Sequence, residues 1–455
     1  MIDPMEKTKI FLLLAFCGCV VSFVPPGGKS KSILPYPIHR HMMSNGLSVV
    51  TVPFESPGIA AFYIIVRAGS RDEIEKGKSG FAHFFEHMMF RGTQKYSKEK
   101  YEETLKGIGA SANANTSLDR TVYHMTGNAA MLDKMFELES DRFMNLKYSL
   151  QDFKTEAGAV KGEYTKNFAS PYMQIYEKVH AAAFTTHTYS HTTIGYFEDI
   201  VDMPNQYDYS QQFFNRFYRP EYSTILVVGD AKAEQVNALA EKYFGQWKRG
   251  NYVSNVPKEP EQKETRFAHV QVPNFPPYVQ LAFKSPPFSD KEIDMPALDI
   301  LSSILFSEKS DLYKKLVIDE QKARTLGGGA SDTKDPYLFS VQSSLVKADD
   351  MQYVKDEIMK AIEKAKNEPV DPRLLAETFS HLKYTFAMGI DSPDEIARSL
   401  ANYIWITGDP ESLNRTYVNY EKVTPNDLMM VANKYLNSNQ LTTATISPNQ
   451  EGGIK

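Results

Sequence analysis

The 455-residue chain is 42% hydrophobic and 24% charged, and its 51 basic and 56 acidic side chains give a formal net charge of −5. These ordinary globular values exclude a disordered or fibrous chain. The slight acidic excess removes the electrostatic basis for nucleic-acid binding. At about 150 residues per domain, the length predicts three domains or two large ones.

An apolar segment at residues 10–24 follows Lys7 and Lys9 and precedes a Pro-Pro-Gly-Gly turn. Its 15 residues match the core of a signal peptide, whereas a membrane-spanning helix needs about 20. We therefore expect residues 1–35 to be a leader and the protein to be exported to a bacterial periplasm; a cytoplasmic location is the weaker alternative. Both cysteines of the chain lie in this segment, and a lipid anchor at Cys19 is an open alternative.

Beyond the leader, the spacing of apolar residues predicts two successive α+β units with the same order of elements. In the first unit, at residues 36–250, the predicted strands are 48–52, 60–67, 110–115, 121–125 and 224–228. Its predicted helices are 83–90, 129–145, 149–168 and 233–244. A charged stretch with two prolines follows at residues 251–266, and this composition is typical of a linker.

The second unit, at residues 267–455, repeats the pattern. Its predicted strands are 269–272, 278–283, 327–331, 338–345 and 441–446. Its predicted helices are 296–306, 312–320, 350–366, 373–388 and 426–435. The expected fold class is therefore α+β, with two duplicated α/β-sandwich halves in which helices cover antiparallel-rich sheets. Two unrelated α+β domains are the alternative.

The most informative motif is His83-Phe84-Phe85-Glu86-His87. Residues four apart share one face of a helix, so His83 and His87 can direct both imidazoles at one metal ion. Glu86 lies beside that face, and this H-x-x-E-H order contains the parts of a zinc peptidase site. The alternative is a buried helix with two incidental histidines. Only 10 histidines occur in the chain, which makes a chance match rare.

Spacing alone leaves the third metal ligand open. Glu156 and Glu163 are favoured because they lie seven residues apart, which is about two turns on one face of a predicted helix. The other candidates are acids and histidines elsewhere in the chain: Asp119, His124, Glu139, Asp141, His180, His187 and His191.

Several short segments resemble the inverted-zincin peptidases, a family that includes pitrilysin, insulysin and the β subunit of the mitochondrial processing peptidase. The matching segments are 44–47, 67–70, 83–93, 109–114, 156–163, 187–200, 218–220 and 228–230. The resemblance implies that Glu163 is the third zinc ligand and that Glu156 helps to orient a ligand. It also implies one zinc ion per chain and duplicated halves that close like a clamshell around an interior chamber.

For activity, the resemblance implies a zinc endopeptidase that hydrolyses peptides or unfolded small polypeptides. Glu86 would be the catalytic base, which takes a proton from the attacking water and passes it to the leaving amine. The peptide substrate would lie as an added strand along the edge near residues 110–115, where Asn113 and Ala114 would contact it.

The second unit departs from the family pattern. Family members that act alone carry there an arginine and a tyrosine that reach the substrate, but those positions fall on Val317 and Arg324. We therefore expect a homologous sister subunit that supplies the arginine and tyrosine, or otherwise a homodimer, with this chain as the metal-bearing subunit. The alternative function is a non-catalytic scaffold or assembly subunit that retains a structural metal site.

Overall fold

The computed structural model describes residues 32–450 and 452–454. The first half builds a six-stranded sheet with the strand order β1-β2-β6-β3-β5-β4. Its strands are β1 (His39–Met42), β2 (Ser48–Pro53), β3 (Ile59–Val66), β4 (Ser111–Thr116), β5 (Thr121–Asn128) and β6 (Ser223–Gly229). Its helices are α1 (Phe81–Met88), α2 (Lys98–Gly107), α3 (Leu132–Asn145), α4 (Leu150–Phe168), α5 (Pro171–Ala183), α6 (Phe197–Asp202), α7 (Tyr207–Phe217) and α8 (Ala233–Phe244).

The second half builds a five-stranded sheet with the strand order β7-β11-β8-β10-β9. Its strands are β7 (Arg266–Gln271), β8 (Tyr278–Ser285), β9 (Gly327–Ala330), β10 (Tyr337–Ser344) and β11 (Leu441–Ser447). Its helices are α9 (Asp294–Phe306), α10 (Asp311–Tyr313), α11 (Met351–Asn367), α12 (Pro372–Met388), α13 (Pro393–Thr407), α14 (Ser412–Tyr420) and α15 (Pro425–Tyr435).

Apart from the edge strand β1, the two sheets share one topology. β2 runs parallel to β6, as β7 runs parallel to β11, and the other neighbouring strands are antiparallel in both sheets. α1 lies between β3 and β4 in the chain, as α9 lies between β8 and β9. This repeated order agrees with the predicted duplication of an α+β unit, and both sheets are mixed sheets in which antiparallel pairs predominate.

The central strand β3 has apolar residues on both sides of the sheet. Side chains of a strand alternate between the two faces. Phe62 and Ile64 accordingly pack in the same apolar cluster as α1, whereas Tyr63 and Ile65 pack in the cluster of α13. Because every residue of β3 after Ile59 is buried, helices must cover both faces of this sheet.

Each half contributes one helix to the sheet of the other half. α13, from the second half, packs against β3 and β6 through Ile396 and Leu400. α5, from the first half, packs against β7 and β11 through Ile175 and Val179, which share a cluster with Ile446. Together with this exchange, the described residues from Ile33 onward form one compact unit.

The chain crosses between the halves at residues 247–265, which contain neither helix nor strand. The predicted linker, residues 251–266, overlaps this region except for Arg266, which begins β7, and the predicted domain boundaries stay a prediction. Most of the predicted leader, including Cys19, lies outside the described residues. In the part of the chain that the structure describes, no helix combines the length and the apolar composition needed to cross a membrane.

Most predicted elements are confirmed within a few residues. The exception is residues 312–320, where the three-residue helix α10 is followed by a π-helical segment at Lys314–Asp319. The sequence pattern does not predict β1 or six of the helices, which are α2, α5, α6, α7, α13 and α14.

Candidate metal centre

The helix that carries the H-x-x-E-H motif is held at its first turn. α1 begins after Gly80, which has a φ of 91°. A Cβ atom added at Gly80 would lie only 2.6 Å from Ile194 O, so there is no room for a side chain at this position. The buried carboxylate of Glu73 accepts hydrogen bonds from Gly80 N and Ala82 N, both at 2.7 Å. Burial raises the pKa of Glu73 well above its ordinary value. These contacts fix the direction in which the helix projects its polar face.

The structure brings together the three predicted metal ligands. Glu163 Oε2, on α4, lies 3.6 Å from His83 Nε2 and 3.3 Å from His87 Nε2. One donor atom from each residue lies within 4.8 Å of the others. The side chains of His83 and Glu163 are 11% and 38% exposed, so the group opens to the surface on its Glu163 side.

The donor atoms fit a zinc ion. Tetrahedral zinc with bonds of about 2.1 Å separates its ligand atoms by roughly 3.4 Å, close to both measured distances. Burial lowers the pKa of His83, which favours the neutral imidazole that binds metals. Two imidazoles and one carboxylate also match a catalytic zinc site, which keeps its fourth position open.

Glu156 lies behind the group and contacts one ligand. Its Oε1 is 2.9 Å from His87 Nδ1, and its Oε2 accepts a hydrogen bond from Arg91 Nε. Burial raises the pKa of Glu156, but the hydrogen bonds from His87 and Arg91 outweigh burial and lower it overall. An ionised Glu156 accepts the Nδ1 proton of His87, which leaves Nε2 free to bind a metal.

Glu86 is the partly exposed carboxylate of the motif. It precedes His87 on α1, and within the described residues it makes no hydrogen bond or ion pair. A carboxylate without a partner beside a metal group remains available to accept a proton.

The predicted substrate-binding residues lie on β4, which is the edge strand of the first sheet and contacts α1. Asn113 is exposed, whereas Ala114 is buried. Asn113 Oδ1 accepts a hydrogen bond from Ala114 N at 2.9 Å. The edge strand β4 therefore lies beside the helix of the metal group, and the side chain of Asn113 occupies the backbone amide of Ala114.

The other candidates for the third ligand do not join this group. Among the described residues, only His83, His87 and Glu163 form a cluster of three metal-binding side chains. Several of the others have partners elsewhere: Asp119 with Tyr189, Glu139 with Arg142, Asp141 with Thr93, His180 with Tyr337 and His187 with Asp335.

The sequence analysis assigns no function to Glu73 or Arg91, although the first binds the start of α1 and the second binds Glu156. Glu73 lies in a polar loop, and only the fold brings it to the start of α1. Arg91 lies three residues beyond the end of α1, and the fold brings it to Glu156. Val317 packs partly buried against the core of the second half, and the side chain of Arg324 is exposed.

A duplicated α+β scaffold that directs two imidazoles and a carboxylate at one point defines a metal-dependent hydrolase of the inverted H-x-x-E-H class. Comparison with known families narrows this class. Residues 49–196 match the family described as Insulinase (Peptidase family M16), and residues 206–381 match the Peptidase M16 inactive domain. The chain belongs to the insulinase family of peptidases, and with its metal group it is a zinc metallopeptidase.

The similarity to individual proteins extends over nearly the whole chain. Zinc protease PqqE of Helicobacter pylori is 29% identical over 456 residues, which cover 98% of this chain and 100% of PqqE. The crystal structure of a protease from Helicobacter pylori has a TM-score of 0.84 and 28% identity, covering 91% of this chain and 100% of that one. The periplasmic protease PqqL of Escherichia coli shares the fold, with a TM-score of 0.71 and 17% identity. The match covers 91% of this chain but only 48% of PqqL.

Proposed function

We propose that this chain is a zinc endopeptidase that hydrolyses peptides or unfolded small polypeptides, with one zinc ion held by His83, His87 and Glu163. The observation that carries the proposal is the convergence of three donor atoms beside Glu86, whose carboxylate makes no hydrogen bond or ion pair among the described residues. A purely structural metal site needs no such carboxylate. The arrangement therefore favours catalysis over a non-catalytic scaffold.

In the proposed reaction, residues of the chain bind the peptide and move one proton. A bound zinc ion would polarise the peptide carbonyl and lower the pKa of water from 15.7 to about 7. The carboxylate of Glu86 accepts a proton from the attacking water, whose oxygen bonds to the carbonyl carbon. Glu86 then passes this proton to the amine nitrogen as the C–N bond breaks. Such proton transfer typically contributes about 10²–10⁴ in rate.

The peptide is proposed to bind along the free edge of β4. An added strand is held by main-chain hydrogen bonds, so many sequences can bind. Ala114 N donates to Asn113 Oδ1 at 2.9 Å, so this amide must exchange partners before it can bind a substrate carbonyl. Asn113 would then be free to contact the peptide with its own amide group.

A second chain is proposed to complete the enzyme. The family resemblance implies that relatives that act alone carry an arginine and a tyrosine at the positions of Val317 and Arg324. The fold of this chain corresponds to 48% of PqqL, which leaves room in that longer chain for a second unit of this size. A homologous sister subunit, or otherwise a second copy of this chain, would close the clamshell around an interior chamber. The lack of this arginine and tyrosine at positions 317 and 324 is also the feature that favours the scaffold alternative.

The location of the protein is proposed from the apolar segment at residues 10–24. This segment supports export to a bacterial periplasm, with Cys19 as an alternative point of lipid attachment. The proposal is independent of the catalytic one.

Glu86→Gln tests the proposed function. The substitution keeps the size of the side chain and removes its basicity, so we expect bound zinc to be retained and peptide cleavage to fall by about 10²–10⁴-fold. Zinc content and cleavage of a mixed peptide library are measured for the chain alone and with a candidate sister subunit.

The matched control is Glu103→Gln on the exposed surface of α2, which should leave both quantities unchanged. Cleavage at the wild-type rate by the Glu86→Gln chain would show that Glu86 is not the base. Absence of cleavage by the wild-type chain in every combination would favour the scaffold.

A further inference from the structure

The two histidines of the metal group are held differently. His87 Nδ1 lies 2.9 Å from Glu156 Oε1, which fixes the ring with Nε2 toward Glu163. His83 Nδ1 is buried and has no hydrogen-bond partner among the described residues. His87 is therefore oriented through a polar partner at Nδ1, whereas among the described residues His83 has no such partner at Nδ1.

Glu156 can orient His87 only if its own carboxylate is held. Its side chain is 6% exposed, and its second oxygen, Oε2, accepts a hydrogen bond from Arg91 Nε. A buried carboxylate without a partner is unfavourable, and a charge-assisted hydrogen bond fixes its plane. Within the described residues, Arg91 is the one cationic side chain other than His87 in an ion pair with Glu156.

The backbone of Arg91 is also fixed. Arg91 N donates to Met88 O at 2.9 Å, which extends the last turn of α1. Gly92 follows with a φ of 96°, and an added Cβ there would lie 2.6 Å from Tyr96 O. The end of α1 and the turn that follows it therefore present both the ligand His87 and the cation that holds the partner of His87.

We propose that Arg91 is a positioning residue of the metal centre, which holds Glu156 so that His87 presents Nε2 to zinc. The inference rests on the proposed function, because it assumes zinc at His83, His87 and Glu163. Loss of a residue that supports a metal ligand weakens metal binding by about 10–100-fold. We expect Arg91→Gln to weaken zinc binding by about 10-fold.

The test is a double-substitution cycle on zinc affinity, measured without reference to peptide cleavage. The full chain is stripped of metal, and its zinc affinity is measured by competition with a chromophoric chelator for the wild type, Arg91→Gln, Glu156→Gln and the double variant. If Arg91 acts through Glu156, the double variant binds zinc as weakly as Glu156→Gln alone. Lys95→Gln is the control. Lys95 forms an ion pair with Glu137, so its substitution should leave zinc affinity unchanged.

Two results overturn the inference. The first is that Arg91→Gln binds zinc with the same affinity as wild type. The second is that Arg91→Gln lowers zinc affinity by the same factor in the Glu156→Gln chain as in the wild type. A wild-type chain that binds no zinc overturns the proposed function instead, so the two failures are distinct. Thermal melting of the metal-free variants reports whether they fold. If Arg91→Gln does not fold, the same comparison with Arg91→Met, which keeps most of the aliphatic stem, decides by the same criteria.

Discussion

The two halves place a helix at the same point of the same topology, but among the described residues only the first half groups side chains that could hold a metal. α1 follows β3 and brings His83 and His87 toward Glu163 of α4. α9 follows β8 and packs on α12, yet its buried side chains are mainly apolar and include Leu298 and Leu301. The scaffold therefore sets where the helix lies, and a few side chains decide whether it carries chemistry.

The two helices also differ in how they begin. α1 has 8 residues, and the carboxylate of Glu73 binds the amides of Gly80 and Ala82 at its start. α9 has 13 residues and begins at Asp294 without a capping hydrogen bond from a side chain. A short helix gains little stability from its own length. The added polar contacts at the start of α1 thus compensate for its shortness where the position of two ligands matters.

The largest expected effect is a loss of bound zinc on substitution in α1 but not in α9. His83→Ala removes one of three ligands, so we expect bound zinc and peptide cleavage both to be lost. The affinity loss should exceed the 10–100-fold typical for a residue that only supports a ligand. Ser302→Ala on α9 is the matched control and should keep full zinc content, measured by atomic absorption. Loss of zinc in the control, or its retention in His83→Ala, would break the comparison.

The next effect tests whether the halves depend on each other. Leu400, fully buried on α13, belongs to the second half but covers the first sheet. We expect Leu400→Ala to lower the free energy of unfolding by about 2–5 kcal/mol. Urea unfolding followed by tryptophan fluorescence and by zinc release should show one shared transition.

Leu374→Ala, on the exposed side of α12, is the control and should change stability by less than about 0.5 kcal/mol. Separate transitions for fluorescence and zinc release in the Leu400→Ala chain would contradict mutual dependence of the halves.

A smaller expected effect concerns α5, the helix of the first half that packs on the sheet of the second half. His180 on α5 is buried and forms a hydrogen bond with Tyr337 of the second half. Burial lowers the pKa of His180 to about 4. Between pH 6.5 and 4 the unfolded chain therefore binds more protons at this residue than the folded chain, so acidification lowers the free energy of unfolding. The slope from this group is at most about 1.4 kcal/mol per pH unit.

His180→Gln removes this titration. We expect the free energy of unfolding of the variant to fall less steeply than that of wild type from pH 7 to pH 5, as measured by urea unfolding. An unchanged slope would show that His180 does not contribute.

The sequence predicts the metal-bearing helix and its partner helix well, because both depend on local spacing. His83 and His87 are four residues apart, and the resemblance to a family names Glu163, which the structure brings to within 3.6 Å of both. The buried central strands of both sheets follow from runs of apolar residues such as those of β3. These signals are local, so a single sequence is enough to find them.

The contacts that the sequence does not predict are formed between distant segments. Glu73 reaches α1 across a loop, and α5 and α13 pack on sheets to which they do not belong by sequence order. The sequence pattern predicts neither of these two helices, and it does not indicate which sheet their apolar faces cover. Tertiary packing, rather than local propensity, decides these positions.

The exchange of α5 and α13 has a consequence for any shortened form of the protein. All three candidate metal ligands precede residue 247, so a fragment that ends there would keep every group that binds the metal. The same fragment would lack α13 and would present Tyr63 and Ile65 of its central strand to water. Exposed apolar faces of this kind favour aggregation. The first half therefore contains every metal-binding group but is incomplete as an independently folding unit.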